Sequence, residues 1–371
     1  MSRADDIARL FQGIGASTDG YLDMDSHFDY PETTVTPLRP LRAVSEASSP
    51  ASAQSPSLPT ASLEPPSASP AVISASLSSL LAEAARVREA NAGTGNEVHT
   101  QPQHTGPAPE IKARVIAVVS AKGGVGKTTL SAALASLLQL PGGRTLVVEL
   151  DPQDALRHHL LGGTEQGGLV NGRLRDEDWN SLLLPGTANT WVLPYGSHSA
   201  EQRRSLKQAM DEDRHWLARQ IERMQLGEHD VLVLDVATGP SRYLEQALDV
   251  ADQVLAVVNT DAACYQTLNV MEQWLAPLAS KPRPPACHYV INQFDATRAF
   301  SCDMHQVLLR RLGEQLLGWV RLDYSLAEAL AYGTYPLLAE TPTQGVQDLH
   351  ALGQQLTTRL MEQARAESSL S

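Results

Sequence analysis

Lys122-Gly123-Gly124-Val125-Gly126-Lys127-Thr128-Thr129 follows the apolar run Val115 to Val119 and opens a stretch of helical periodicity from Lys127 to Gln139. A strand, a glycine-rich loop and a helix N-terminus in that order form phosphate-binding architecture. Glycines at 123, 124 and 126 allow backbone dihedrals that side chains forbid, so amides can turn toward phosphate oxygens while the helix dipole adds positive potential. Lys127 is placed to reach the β and γ phosphates of ATP, and the Thr128 hydroxyl to complete a Mg²⁺ shell. Val125 and Thr129 complete the nucleotide-contacting loop.

The general phosphate loop carries glycine four residues ahead of Val125, where this chain has Ala121 followed by Lys122. That departure resembles the deviant Walker A loop of the ParA/MinD family of dimerising ATPases. The resemblance implies that Lys122 crosses a homodimer interface to the partner's nucleotide. The plainer alternative is a glycine-rich turn with two surface lysines.

Twenty-four residues after Lys127, the second apolar run delivers Glu149-Leu150-Asp151-Pro152-Gln153. A carboxyl-end position is where ligands bind in doubly wound sheets. The segment resembles the family's Asp-x-Asp-Pro-Gln string, which implies that Asp151 positions the attacking water and the hydrated metal. Glu149 replaces the first aspartate. Asp151-Pro152 alone also suits a strand end that caps a helix.

Val231-Leu232-Val233-Leu234-Asp235 is a buried strand with one acid at its exit, the Walker B arrangement that holds Mg²⁺ through water. The expected metal set is therefore Thr128, Asp151 and Asp235, with Lys122 and Asp151 as the catalytic pair. Asn292, after Tyr289-Val290-Ile291, matches the family's adenine-recognising asparagine; an ordinary strand-end turn is the alternative. His158 and His159 share no helix face and carry no assigned role; an exposed pair is expected.

From Arg114 onward, short β-branched runs alternate with helical periodicity, the pattern of βαβ units. The fold class is α/β: a mostly parallel, doubly wound sheet flanked by helices, preceded by a disordered leader. Strands are expected at Val115 to Val119, Thr145 to Leu150, Val231 to Leu234, Val254 to Val258 and Tyr289 to Ile291, with weaker signals at Trp191 to Leu193 and Trp319 to Leu322. Helices are expected at Lys127 to Gln139, Glu201 to Met224, Tyr265 to Ala279, Asp303 to Leu317, Leu326 to Tyr332 and Gln344 to Ala364.

The organisation reads as a short helical docking segment over 1–43, a Ser/Pro/Ala-rich linker over 44–75, a helix and linker over 76–111, and the ATPase domain over 112–366. Ile7, Leu10, Phe11 and Ile14 recur at helical spacing beside Asp5, Asp6 and Arg9, giving either a docking helix or a marginal one. The first twenty residues have no apolar signal core, and no run suffices to span a bilayer.

A formal charge of −13 over 371 residues argues against a dedicated nucleic-acid binder. Three cysteines without close pairing support neither a disulfide framework nor structural zinc, and fit a reducing cytoplasm.

Within the family, Asp151 to Arg157 with Leu160-Leu161-Gly162 is similar to the BcsQ branch of cellulose-biosynthesis ATPases. Asp5 to Phe11, with Tyr21, resembles short cellulose-secretion accessory proteins. The resemblance implies a regulatory, assembly or localisation subunit of a cellulose synthase complex. It would hydrolyse ATP slowly under partner control and lie peripherally at the inner membrane through cellulose synthase subunits and small accessory proteins. The alternative is a partition ATPase binding DNA non-specifically, with Arg298, Arg310, Arg311 and Arg321 as candidate contacts.

Overall fold

The computed structural model describes residues 109–163, 167–175 and 177–368. The segments read above as a docking helix, a linker and a second helix lie outside the described residues, apart from the last positions before 112.

Eight strands form one sheet: β1 (Arg114–Val119), β2 (Thr145–Leu150), β3 (Leu184–Pro185), β4 (Thr190–Leu193), β5 (Val231–Val236), β6 (Gln253–Asn259), β7 (Ala286–Phe294) and β8 (Leu316–Arg321). Their order is β3-β4-β2-β5-β1-β6-β7-β8, and every pairing is parallel except β3 with β4. β1, β2 and β5 are buried along their whole length, which explains their uninterrupted apolar sequences: a parallel strand is covered on both faces.

Eleven α-helices are described: α1 (Lys127–Leu137), α2 (Leu156–Leu160), α3 (Leu169–Arg175), α4 (Trp179–Leu182), α5 (Ala200–Glu212), α6 (Trp216–Arg223), α7 (Arg242–Val250), α8 (Ala262–Leu275), α9 (Ala299–Leu312), α10 (Tyr324–Tyr332) and α11 (Gln344–Ser368). α11 lies against β8 and α1, with Gly353 leaving room for Leu137. α7 covers β1 and β5 and is flanked by α5 and α6.

The sheet class is as the alternating pattern predicts, but several elements differ, among them the unexpected short elements α2, α3, α4 and β3. The helix expected over Glu201 to Met224 is two helices, broken between Glu212 and Trp216. The cause is Gln246 of α7, which is buried in the gap. Its carboxamide oxygen accepts from Leu217 N at 2.9 Å, and its nitrogen donates to Met210 O at 3.1 Å and Asp213 O at 2.8 Å. A side chain from a distant helix thus satisfies the backbone groups that a continuous helix would pair.

The helix expected to run to Leu317 stops at Leu312, because Gly313 turns to φ 51° and releases the chain into β8. α7 itself carries a legible signal that the sequence reading passed over. Ser241 caps it by accepting from Leu244 N, and Tyr243, Leu244, Ala247, Leu248 and Ala251 recur at helical spacing.

β1 lies between β5 and β6, and the chain departs from it toward β2 on one side and later crosses to β6 on the other. The crevice at the carboxyl ends of β1, β5 and β2 is the switch point of the sheet, and the 122–129 loop occupies it.

Candidate functional site

Loop 120–126 leaves β1 and enters α1 through two left-handed residues, Gly124 at φ 76° and Gly126 at φ 80°. At Gly126 the requirement is also steric, since a Cβ there would collide with the Asn292 amide. Asn292, buried at the end of β7, donates to Val125 O at 2.8 Å, and Gln293 donates to Gly124 O at 3.5 Å. Asn292 therefore holds the loop itself. Gln293 does so from a left-handed φ of 55°, a strained conformation for a residue with a side chain.

Lys127 is buried at the start of α1. Its ammonium donates to Asp235 Oδ1 at 2.9 Å and lies 3.6 Å from Asp151 Oδ2. Ser131, one helical turn on, donates to the same Asp235 oxygen at 2.9 Å. The sequence reading missed Ser131, although its spacing of four from Lys127 puts both on one helix face. Asp235 Oδ2 is buried with no hydrogen-bond partner among the described residues.

Thr128 and Thr129 are half-buried beside Lys127. The structure thus brings Thr128, Lys127, Asp151 and Asp235 to one end of the sheet. Lys122 stands apart, donating to Asp261 Oδ2 at 2.6 Å. That hydrogen bond raises the Lys122 pKa against a smaller lowering by burial.

Glu149 is fully buried and is the register partner of Asp235 on the neighbouring strand. Burial first, and the Asp235 charge second, push its carboxyl well above the usual range. Its Oε1 accepts from Ala155 N at 2.6 Å and Leu156 N at 3.1 Å. Asp154, at φ 50°, accepts from Gly196 N at 2.9 Å and pairs with Arg157 at 3.1 Å.

His159 does not match the expected exposed pair. His158 is exposed, whereas its neighbour His159 is half-buried on the same short helix, and burial lowers its pKa to about 4. The Tyr195 and Tyr243 hydroxyls, both buried, hydrogen-bond at 2.8 Å and tie the end of β4 to the start of α7.

A family model described as cellulose biosynthesis protein BcsQ matches residues 113–354. The chain belongs to the BcsQ family. Among curated relatives, BcsQ of Escherichia coli (strain K12) is 28% identical over 225 residues, covering 58% of this chain and 83% of that protein. The septum site-determining protein MinD of the same strain is 30% identical over 236 residues, covering 60% and 83%.

The solved MinC:MinD complex of Aquifex aeolicus aligns with a TM-score of 0.52 at 19% identity, covering 66% of this chain and 96% of that one. This likeness establishes a ParA/MinD-like fold. The BcsQ-family chain accordingly carries a P-loop fold of the ParA/MinD type.

Arg311, one candidate for a DNA-binding face, is bonded to Glu272 at 2.9 Å and Asn269 at 2.7 Å and lies over the Tyr265 ring. Arg321 is bonded to both oxygens of Asp348. Both guanidiniums are neutralised within the body. Among the described residues no helix is long and apolar enough to cross a membrane.

Proposed function

We propose that this chain is a Mg·ATP-dependent ATPase that closes into a homodimer around nucleotide and serves as a regulatory or assembly subunit of a bacterial cellulose synthase complex. The observation that carries the ATPase reading is the separation of two lysines in one loop. Lys127 is buried between Asp235 and Asp151, while Lys122 points away to Asp261. On this reading, Lys127 would serve the phosphates of its own site. Lys122, released from Asp261, would serve a second site.

Lys127 would exchange its carboxylate contacts for the β and γ phosphates, with the Gly123–Gly126 amides and Thr129 around them. Thr128, Asp151 and Asp235 would hold Mg²⁺; the orphaned Asp235 oxygen beside a glycine cradle suits that cation, which would neutralise developing charge on the transferred phosphoryl group. Asp151 would orient the attacking water, with the partner's signature lysine countering charge on the leaving oxygens. Asn292, freed from Val125, would meet the adenine. Turnover is expected to be slow until a partner completes the site.

The cellulose assignment rests on the family match and the curated relatives. The chain would act in the cytoplasm, held at the inner membrane by cellulose synthase subunits and small accessory proteins. The neutralised Arg311 and Arg321 count against a partition role.

Two measurements test the reading. Phosphate release by wild type and Asp151→Ala should differ at least tenfold, and equal rates would remove Asp151 from the reaction. Co-purification with cellulose synthase subunits should weaken when residues 1–75 are deleted, because a tethered second contact raises effective concentration. ATP-dependent retardation of random DNA with no capture of synthase subunits would favour partition instead.

A further inference from the structure

We propose that Glu149 is a positioning residue that braces the 151–156 segment and so keeps Asp151 beside Lys127 during turnover. The proposal rests on the reading that Asp151 serves ATP hydrolysis.

Asp151 has few anchors of its own. One oxygen accepts from Gln153 N at 3.0 Å within the same turn, and the other lies 3.6 Å from Lys127. Its place is therefore set by the backbone that carries it. That backbone is closed by Glu149, whose side chain spans from the end of β2 to the amides of Ala155 and Leu156, enclosing Asp151 within the loop.

Three features make the brace specific. Glu149 is fully buried, so water does not compete for its bonds. It is in register with Asp235, which holds Lys127, so one pair of strand ends fixes both neighbours of the ammonium. Asp154 then closes the far side of the turn through Gly196 N and Arg157.

Side-chain length is decisive. Losing one methylene would retract the carboxyl by roughly 1.5 Å, about one covalent bond, and take the 2.6 Å bond to Ala155 outside hydrogen-bonding range. The loop would have to follow, and a misplacement near 1 Å can cost about a hundredfold in rate. Glutamine keeps the length and an accepting oxygen.

The test compares wild type, Glu149→Asp and Glu149→Gln in the full chain. Steady-state ATP hydrolysis gives kcat and KM, calorimetry gives ADP affinity, and backbone amide exchange is followed in the peptide covering 151–156. Glu149→Asp should lose about 10- to 100-fold in kcat, with KM and ADP affinity within threefold of wild type and faster exchange at Ala155 and Leu156. Glu149→Gln should keep kcat within about threefold and retain protection.

Wild-type kcat or unchanged exchange in Glu149→Asp would overturn the brace. So would loss of kcat in Glu149→Gln with exchange intact, which would make the ionised carboxylate itself the working group. A wild-type protein without turnover would instead overturn the hydrolysis reading, and this is seen before any variant is compared.

Discussion

Lys122 and Asp261 meet through a 2.6 Å hydrogen bond across 139 residues of sequence. The other oxygen of Asp261 accepts from Cys264 N at 2.7 Å and caps α8. The partners are 39% and 38% exposed, so the pair is worth at most about 1 kcal/mol. A contact that weak is readily exchanged for another anion, as the proposed dimer requires.

Lys122→Ala should therefore abolish ATP-driven dimerisation while leaving ADP affinity largely intact. Asp261→Asn keeps a capping oxygen but frees the lysine, so the dimerisation constant with ATP should rise by up to about fivefold. Light scattering with and without ATP measures both. An unchanged dimer fraction in Lys122→Ala would remove that lysine from the interface.

Loop glycines that look equivalent in sequence should differ sharply on substitution. A Cβ at Gly123 meets nothing within 4 Å, so Gly123→Ala should leave the melting temperature unchanged. At Gly126 a Cβ collides with Asn292 and the backbone sits at φ 80°. Gly126→Ala should lose nucleotide binding and at least about 1 kcal/mol of stability. Fluorescent-nucleotide titration and thermal melts of the two variants separate the cases.

His159 makes the fold acid-sensitive. Burial lowers its folded pKa from 6.5 to about 4, so below pH 6.5 the unfolded chain takes up a proton that the folded chain refuses. Stability from this group is complete above pH 6.5 and is lost as pH falls toward 4. Between pH 7 and pH 5 the loss should be about 2 kcal/mol. His159→Asn should lessen the dependence by that amount in urea titrations, and an identical slope in the variant would contradict it.

Glu149 acts in the opposite direction. Its carboxyl is raised, so the unfolded state loses its proton first and stability falls as pH rises above the ordinary carboxylate value of 4.5. Glu149→Gln should remove that decline, giving a variant whose advantage over wild type grows with pH between 5 and 8. Equal pH profiles would show that Glu149 is already ionised in the fold.

Gln246 is the joint between α5, α6 and α7. Gln246→Leu would leave Leu217 N–H and two carbonyls without their partner in a buried gap, at a cost of about 2–4 kcal/mol. Chemical denaturation measures it, and a loss below about 0.5 kcal/mol would mean the break is satisfied without the side chain.

The parallel sheet, its central strands and the phosphate loop were all readable from the chain, because each depends on residues adjacent or at regular spacing. Val115 to Val119 must be a strand buried on both faces, and Lys122 to Thr129 a strand-to-helix loop, whatever surrounds them. The break at Asp213 was not readable, since it is imposed by Gln246, 33 residues away. Nor was the company that Lys122, Glu149 and Arg311 keep, because periodicity records which face a residue occupies and not what lies opposite. The sequence by itself determined that a glycine-rich loop joins the first strand to a helix N-terminus. Only the tertiary structure decided that Lys127 is clamped between two aspartates, that Lys122 is parked on Asp261, and that Glu149 reaches across the turn carrying Asp151, since each pairing forms only once the strand ends converge.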